Sequence, residues 1–337
     1  MSRAAARHKT PNPVAKGPFM PLVATPDNPI PPGAIVESLH AVDGLRLRAA
    51  RWTPSRRVRG TVALFTGRAE FIESYFETIG QLLDRGFSVA ALDWRGQGGS
   101  ARQLKNPRKG HIDDFSLYER DLNAFVTEVL GPSCPRPWFG LCHSMGAAIM
   151  LGIAHAGRCP FERLVLTSPM IRIANLKRPR LAQGLAEALD SLGLGGAFAP
   201  GGGSASVGAG AFAGNPLTSD PVRFARMAGV EAADPSIGLG WPTVGWIHSA
   251  FRLMRRFEDP DFPRMTTVPT LVIAAGLDRV TDTRASERFS ERLRAGRLIV
   301  IDGAAHEIMM ERDLFRNQFW AAFDAFIPGV ENERTSA

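Results

Sequence analysis

The feature that most constrains this chain is a series of short apolar segments, each followed by a turn and a helical pattern. Four of them precede residue 170: TVALFT (61–66), FSVAALDW (87–94), PWFGLCH (137–143) and RLVLTSP (163–169). Strands that lack a polar face are typical of a parallel sheet covered by helices on both sides. The pattern returns in TLVIAAG (270–276) and LIVID (298–302). The sequence therefore predicts an α/β fold.

The two groups of strands are separated by residues 170–262, which contain helical patterns and a glycine-rich stretch but no convincing strand. Near the N-terminus, alternating apolar residues flank Asp43-Gly44, which predicts a β-hairpin. Residues 1–33 contain eight prolines and no periodic apolar pattern, which indicates an extended tail. We therefore predict four segments: a Pro-rich basic tail (1–33), a first core part (34–169), a helical insertion (170–262) and a second core part (263–330).

The net charge of +7 is confined to one end of the chain. Residues 1–60 hold ten Lys or Arg and three Asp or Glu, whereas the rest of the chain holds 30 of each sign. A protein that binds nucleic acid would usually spread basic residues over its working face, so we predict no nucleic-acid partner. The basic end instead suggests peripheral contact with an anionic membrane, and solubility explains it equally well.

Cysteine usage and hydropathy favour the cytoplasm. Cys134, Cys142 and Cys159 form no CxxC pair, which argues against a disulfide framework and a thiolate zinc site. The N-terminal residues lack the apolar segment of a signal peptide, and no run of about 18 apolar residues could span a membrane. We expect a cytoplasmic protein, with possible peripheral attachment to the inner face of the membrane.

The strongest local motif is Cys142-His143-Ser144-Met145-Gly146, which follows a strand and opens a helix. A serine in such a strand-to-helix turn projects its hydroxyl above the sheet, next to the positive end of the helix. Cys142 stands where the G-x-S-x-G pattern has its first glycine. Ser144 is therefore the candidate nucleophile.

A serine nucleophile needs a base that is oriented by an acid, in the chain order Ser, acid, His. Asp278 follows the strand 270–276, and His306 follows the strand 298–302 through a short turn. We predict that they complete a triad with Ser144. Other side chains of the right type are weaker candidates because of their positions in the pattern: Asp282, Asp302, His111, His143 and His155.

Hydrolysis through a serine also requires backbone N–H groups that stabilise the oxyanion. Met145, next to the nucleophile, supplies one by its place in the turn. The second is expected in the loop after the first core strand, where Gly67 permits a close turn and Arg68 presents its N–H. The alternative for Arg68 is a solvated surface side chain.

These segments together resemble the α/β-hydrolase fold serine hydrolases, and more narrowly the bacterial lysophospholipase and monoacylglycerol lipase group. The resemblance covers roughly residues 34–327 and includes the D-x-R-G-x-G turn at Asp93–Gly98 and the catalytic histidine motif at His306-Glu307. Thr66 departs from the family, which usually has the His of an His-Gly pair there. Cys142 is the second departure. Neither removes a predicted catalytic group.

The resemblance implies that residues 170–262 form a helical cap over the nucleophile, whose apolar residues select the substrate. The candidates for that lining, most of which must simply pack cap on core, are Leu176, Leu181, Leu185, Leu189, Phe198, Phe212, Trp241, Trp246, Phe251 and Met254. The glycine-rich stretch is either a mobile lid edge or a long surface loop. Lys177, Arg178 and Arg180 either meet a phosphate head group or form a solvated face.

The expected activity is hydrolysis of the carboxylic ester of a single-chain lipid, without metal or cofactor. Lysophospholipid is the first substrate class, monoacylglycerol the second and a small soluble ester the third. Two readings from other classes remain open at this point. One is a catalytically silent binding protein on the same fold, and the other is an electrostatic membrane-docking module.

Overall fold

Eight strands form one sheet in the computed structural model, which describes residues 20–206 and 210–328. In chain order they are β1 (Ile35–His40), β2 (Arg46–Trp52), β3 (Thr61–Phe65), β4 (Ser88–Asp93), β5 (Trp138–His143), β6 (Arg163–Thr167), β7 (Thr270–Ala275) and β8 (Gly296–Ile301). Across the sheet the order is β1-β2-β4-β3-β5-β6-β7-β8. The pairs β1–β2 and β2–β4 are antiparallel and all the others are parallel. The predicted mostly parallel sheet is confirmed.

Helices occupy most of the connections between strands. The α-helices are α1 (Phe76–Asp84), α2 (Leu117–Phe125), α3 (Gly131–Ser133), α4 (Ser144–His155), α5 (Pro179–Leu189), α6 (Pro221–Ala233), α7 (Val244–Phe257), α8 (Phe262–Met265), α9 (Thr283–Ser290) and α10 (Asp313–Phe326). Single 3₁₀ turns cover Ile72–Tyr75 and Ile308–Met310, and π turns cover Val126–Leu130 and Asp190–Leu194.

The central strands β3 to β7 are apolar on both faces because each face packs against helices. Val62 and Leu64 of β3 enter the cluster that contains α1 and α10. Ala63 and Phe65 enter the cluster on the other face, with α2, α4 and α9. Successive side chains of a strand point to opposite faces, so one apolar segment contributes to both clusters. This arrangement fixes the sheet as the central layer.

The predicted hairpin is confirmed. β1 and β2 pair in antiparallel register, with Leu39 opposite Leu47. Gly44 adopts a φ of +78°, a conformation that glycine adopts without steric cost, and the N–H of Leu45 donates to the Asp43 carboxylate at 3.4 Å. Asp43-Gly44 therefore closes the turn as its sequence indicates.

The predicted tail is shorter than its proline content suggests. Residues 20–33 pack on the core, and residues 1–19 lie outside the described part of the chain. Leu22 is buried, and the side chain of Asn28 donates to the carbonyl of Glu73 at 2.9 Å. The indole N–H of Trp52 donates to the carbonyl of Pro31 at 3.1 Å. These bonds attach the segment to β2 and to the 3₁₀ turn before α1, so it belongs to the body of the protein.

The chain between β6 and β7 folds into α5–α8, and we call residues 170–262 the cap. In its described residues the extended backbone is limited to isolated bridges such as Phe198 with Thr243. The cap contacts loops that follow three strands. Gly110 bridges Pro242, the Arg68 side chain donates to the carbonyl of Gly240, and the N–H of Glu307 donates to the carbonyl of Leu217. All three loops lie at the carboxyl edge of the sheet, so the cap covers that edge.

The positive charge of the segment 34–60 is partly internal. Arg48 is 1% exposed and pairs with the carboxylates of Glu73 and Asp93 at 2.7 and 2.6 Å. Arg51 pairs with Glu37. Arg56 and Arg57 remain exposed. The surface patch is therefore smaller than the sequence count suggests. Among the described residues, no helix is long and apolar enough to cross a bilayer.

Glu77 joins the cap to the core. Its carboxylate, on α1, accepts from Arg223 of α6 at 2.6 Å, from Arg226 at 2.7 Å and from Arg316 of α10 at 2.7 Å. Burial by itself would raise the pKa of Glu77, but the arginines outweigh it and lower the pKa to about 2. The stabilisation is therefore complete above the unfolded-state pKa of about 4.3 and is lost as pH falls toward 2.

We predict that Glu77→Gln lowers the free energy of unfolding by about 2 kcal/mol at pH 7, because four charged hydrogen bonds from three arginines are weakened. The difference from the wild type should shrink as pH falls from about 4.5 to 2, where the wild-type carboxylate is protonated too. Urea unfolding at a series of pH values measures it. Glu291→Gln, at an exposed position, is the control. A difference that does not change with pH would contradict the account.

Candidate active site

Ser144 lies at a sharp turn between β5 and α4. Its φ is +48°, which is uncommon for a residue other than glycine and lifts the side chain out of the line of the strand. Two residues later, a Cβ on Gly146 would lie 2.7 Å from the carbonyl oxygen of Thr66 and 2.8 Å from that of Phe65. Glycine is therefore needed at 146, because the turn packs directly against the end of β3.

The three side chains predicted as a triad form one continuous hydrogen-bonded chain. The Oγ of Ser144 lies 3.0 Å from the Nε2 of His306, and the Nδ1 of His306 lies 2.8 Å from the Oδ2 of Asp278. All three follow carboxyl ends of parallel strands: β5, β7 and β8. The hydroxyl of Ser168 donates to the backbone carbonyl of His306 at 2.7 Å and helps to hold its loop.

Asp278 is held as a carboxylate by four donors. The N–H groups of Val280 and Thr281 donate to Oδ1, both at 2.8 Å, and the Thr281 hydroxyl donates to Oδ2 at 2.7 Å. Burial opposes ionisation, but the bonds from His306 and Thr281 outweigh it and place the pKa of Asp278 below its ordinary value. A charged Asp278 can orient the imidazole and stabilise it when it is protonated.

The weaker candidates occupy other positions. Asp282 caps α9 by accepting from the N–H of Ala285 at 3.0 Å, and Asp302 is exposed. His111 contacts the hydroxyl of Thr243 at 2.9 Å, in the region where the cap meets the core. His155 stacks on Phe262. His143 contacts the hydroxyl of Thr167 at 3.0 Å, and its ring centroid lies 4.8 Å from that of His306.

The loop that begins at Thr66 lies beside the start of α4, because β3 and β5 are neighbours with Phe65 opposite Cys142. Within this loop the N–H groups of Gly67 and Ala69 donate to Glu70 and Gln97. Among the described residues, no acceptor lies within hydrogen-bond reach of the Arg68 N–H. Met145 lies in the first turn of α4, where N–H groups lack intrahelical acceptors.

The Arg68 side chain points toward the cap. Its Nη2 donates to the carbonyl of Gly240 at 2.7 Å, and its guanidinium carbon lies 5.3 Å from the centre of the Trp246 ring. Burial lowers the pKa of Arg68 to about 10, so the group stays protonated at neutral pH. The solvated alternative for this side chain does not hold.

With this geometry in place, comparison with known proteins identifies the family. Residues 56–313 match the hydrolase family described as serine aminopeptidase, S33. The chain belongs to this family. It is 34% identical to lysophospholipase L2 of Escherichia coli K12 over 288 residues, which is 82% of each chain. It is 27% identical to a monoacylglycerol lipase of Mycolicibacterium smegmatis over 278 residues, which cover 81% of this chain and 90% of the relative.

Solved structures of the same fold include enzymes with quite different sequences. A thermostable carboxyl esterase of Bacillus coagulans superposes with a TM-score of 0.71 at 20% identity and covers 88% of this chain and 99% of its own. A monoglyceride lipase of Saccharomyces cerevisiae superposes with a TM-score of 0.68 at 20% identity, covering 88% and 97%. At this identity the likeness concerns the fold, which is the predicted α/β-hydrolase fold.

Two side chains with no role predicted from the sequence hold the loop that carries Arg68. Gln97, in the D-x-R-G-x-G turn, donates from Nε2 to the carbonyl of Gly67 at 2.7 Å and to that of Glu70 at 3.2 Å. Glu70 accepts from the N–H of Gly67 at 2.6 Å and from the hydroxyl of Tyr75. These two residues hold the loop that carries Arg68. The sequence identifies this turn as part of the resemblance but does not predict its bonds to the loop.

Glu311 holds the loop that carries His306. Its carboxylate accepts from the N–H of Ala305 at 2.8 Å, from the N–H of Ser219 at 3.0 Å and from the N–H of Arg312 at 3.0 Å. It therefore connects the residue before His306 to the cap segment at Ser219. No spacing in the sequence marks this role, because its partners lie on separate loops.

Several titratable groups are buried beside the triad. The Nε2 of His143 lies 3.3 Å from the Oε1 of Glu70 but is misaligned for a hydrogen bond. Burial, followed by the proximity of His306, lowers the pKa of His143 well below its ordinary value. Burial raises the pKa of Glu307, and Glu70 and Glu311 raise it further. His143 is thus held neutral, and Glu307 favours its protonated form.

We predict that Glu70→Ala lowers kcat for ester hydrolysis about tenfold or more with little change in KM. The Gly67 N–H and the Tyr75 hydroxyl both donate to the Oε2 of Glu70, so removal of the carboxylate takes that acceptor from both donors and the Arg68 loop moves. Steady-state kinetics on a soluble ester measures it. Glu128→Ala, an exposed change, is the control. Unchanged kcat at full stability would contradict the role given to Glu70.

Proposed function

We propose that this protein is a serine hydrolase that cleaves the carboxylic ester of a single-chain lipid, with lysophospholipid as the first substrate class. The observation that carries the proposal is the continuous chain of hydrogen bonds from Ser144 through His306 to Asp278. The relatives supply the substrate class, since those named lysophospholipase L2 and monoacylglycerol lipase align over about four fifths of the chain. Monoacylglycerol is the runner-up.

In the first half of the reaction, the Oγ of Ser144 attacks the acyl carbonyl while the Nε2 of His306 accepts the hydroxyl proton. Asp278 holds the imidazole through Nδ1 and stabilises its positive charge. The tetrahedral intermediate then collapses, and His306 donates the proton to the departing alcohol oxygen. The products of this half are the free alcohol, which carries the head group, and an acyl-enzyme ester on Ser144.

In the second half, a water molecule attacks the acyl-enzyme. His306 accepts a proton from the water and then returns it to the Oγ of Ser144, so the fatty acid leaves and the serine is restored. In both halves the carbonyl oxygen becomes negative. The N–H groups of Met145 and Arg68 are the donors we assign to it, because among the described residues neither N–H donates a hydrogen bond to another group of the protein.

The cap is the part of the chain that we assign to substrate selection. The candidate apolar residues divide by exposure: Trp246 and Met254 are each 8% exposed, whereas Leu181 and Trp241 are 63% and 50% exposed. The buried members pack between the cap and the core. The exposed members are available to a lipid chain that enters from a membrane or a micelle.

Peripheral contact with an anionic membrane is part of the proposal. It is supported by exposed Arg56 and Arg57 and by the basic residues before residue 20, each cation near such a surface being worth about 1 kcal/mol. Since residues 20–33 pack on the core, a deletion should stop at residue 19. Vesicle sedimentation with and without anionic lipid should show weaker, less salt-dependent binding after deletion of 1–19. Unchanged binding would refute the proposed contact with the membrane.

The substrate class is tested by release of fatty acid from matched esters. We expect turnover of lysophosphatidylcholine and monoacylglycerol to exceed turnover of a short soluble ester such as 4-nitrophenyl acetate. Ser144→Ala should lose activity by about 10³-fold or more on every substrate, because among the described residues Ser144 is the hydroxyl bonded to the Nε2 of His306.

The outcomes separate the proposals. Equal turnover by Ser144→Ala would refute the mechanism. Activity on the short ester alone would refute the lipid substrate while leaving the mechanism intact. If the folded wild-type protein turns over no ester, the result would favour a binding protein with the same fold. An aminoacyl anilide belongs in the panel because the family description names an aminopeptidase.

A further inference from the structure

A cavity of about 630 Å³ lies between the cap and the core, outside the set of residues assigned to catalysis. Its walls are α5 and α7 of the cap, α9 of the core and the chain segment that follows β6. Neither the triad nor Arg68 and Met145 line it. The volume falls within the range of pockets that bind small molecules. The proposed reaction gives this cavity no role.

Apolar side chains form one part of the cavity lining, and we call five of them the floor. Three members of the floor are buried and two are partly exposed. They are Ile171, Ile173, Phe251, Met254 and Phe289. Side chains of this kind contribute free energy by covering hydrocarbon, at roughly 25 cal/mol per Å² removed from water. The floor therefore fits an alkyl chain.

The mouth of the cavity carries five arginines, which we call the rim. Against them stands Glu258 as the acidic residue in the lining, so the lining has a net charge of +4. All five arginines are exposed. They are Arg172, Arg180, Arg255, Arg288 and Arg292. Repulsion among them is relieved when an anion binds.

Rim arginines have few partners among the described residues. The side-chain oxygen of Gln183 accepts from the Nε and Nη1 of Arg255 at 2.8 and 3.0 Å. Arg172 has a long contact of 3.7 Å to Asp282. For the other four, no carboxylate in the described part of the chain lies within ion-pair distance, in contrast to the arginines that join the cap to the core at Glu77. Guanidinium groups bind carboxylates and phosphates through two parallel hydrogen bonds. The rim is therefore suited to an anionic head.

The cavity adjoins the catalytic residues without including them. Met170, which precedes Ile171 of the floor, donates its N–H to the backbone carbonyl of Ser144 at 3.1 Å. Ile173 of the floor forms a β-bridge with Thr281, whose hydroxyl donates to Asp278. A ligand on the floor would thus lie one layer of backbone away from the nucleophile and the acid.

From these observations we infer that the cavity is an accessory binding site for an anionic single-chain amphiphile, with its alkyl chain on the floor and its carboxylate or phosphate at the rim. The site goes beyond the proposed reaction and does not depend on it. Of the three basic residues considered near the start of α5, Arg180 lines the cavity, whereas Lys177 and Arg178 do not.

Binding can be measured by calorimetry on the full chain with three C12 ligands that contain no ester, below their micelle concentrations. They are dodecyl phosphate, dodecanoate and the neutral 1-O-dodecylglycerol. We expect Arg288→Gln/Arg292→Gln to weaken binding of both anions about tenfold, since charged hydrogen bonds are lost. Binding of the neutral ligand should stay within about twofold. Arg284→Gln, an exposed arginine on α9 outside the cavity, is the matched control.

A second variant tests whether the ligands occupy the cavity. Gln183→Trp places a large ring at the cavity wall and should weaken binding of all three ligands. Hydrolysis of 4-nitrophenyl acetate should remain unchanged in the double variant and in Gln183→Trp. This result would show that the catalytic residues are intact in both. If the wild type does not hydrolyse that ester, the proposed function fails, but the binding comparison still decides the accessory site.

Three results would overturn the inference. The double variant could keep its affinity for the anions, or it could lose affinity for the neutral ligand to the same extent. The control Arg284→Gln could also lose as much affinity for the anions as the double variant does. Tighter binding of dodecanoate than of dodecyl phosphate would identify a released fatty acid as the source of the anion. The reverse order would identify a phosphate head group. Association with anionic vesicles without binding of any single amphiphile would replace the cavity with a membrane surface and contradict the proposal.

Discussion

The left-handed backbone of Ser144 is the constraint on which the rest of the site depends. A φ of +48° at a residue with a side chain is unfavourable by itself, so the surrounding structure must hold it. β5 enters the turn from the centre of the sheet, and α4 leaves it with both faces buried. Gly146 lets the turn lie against the carbonyls of β3. The proposed nucleophile is thereby held in place by the fold itself.

The same close packing positions the groups around Ser144. Because β3 lies beside β5, the loop that carries Arg68 meets the start of α4. Because β7 and β8 follow β6 in the sheet, Asp278 and His306 approach from the other side. Buried carboxylates at Glu70 and Glu311 then hold the two loops through backbone N–H groups. The catalytic geometry rests on sheet order and on these side-chain anchors.

Sheet, cap and the candidate triad could be predicted because their signals are local or follow chain order. An apolar segment of five or six residues identifies a buried strand, and the order Ser, acid, His places Asp278 and His306 after the late strands. The contacts of Glu70, Gln97 and Glu311 could not be predicted. Each joins segments that are distant in sequence or bonds to backbone groups, which leave no residue pattern.

Burial of charge was the other feature hidden from the sequence. Arg48 counts as one more basic residue of the N-terminal end, yet it is enclosed with Glu73 and Asp93 and adds nothing to the surface. The prolines of residues 20–33 suggest a tail, but Leu22 and Asn28 pack inside the body. The five rim arginines of the cavity come from α5, α7, α9 and two other segments, so only the folded chain brings them together.

The central claim, that Ser144 is a nucleophile activated by His306, is tested most directly by labelling with a small fluorophosphonate and mapping the adduct by mass spectrometry. The account predicts an adduct on the peptide that contains Ser144, absent in Ser144→Ala and formed at least about 100-fold more slowly in His306→Ala. Labelling of the wild type elsewhere, or equal labelling rates in wild type and His306→Ala, would contradict it.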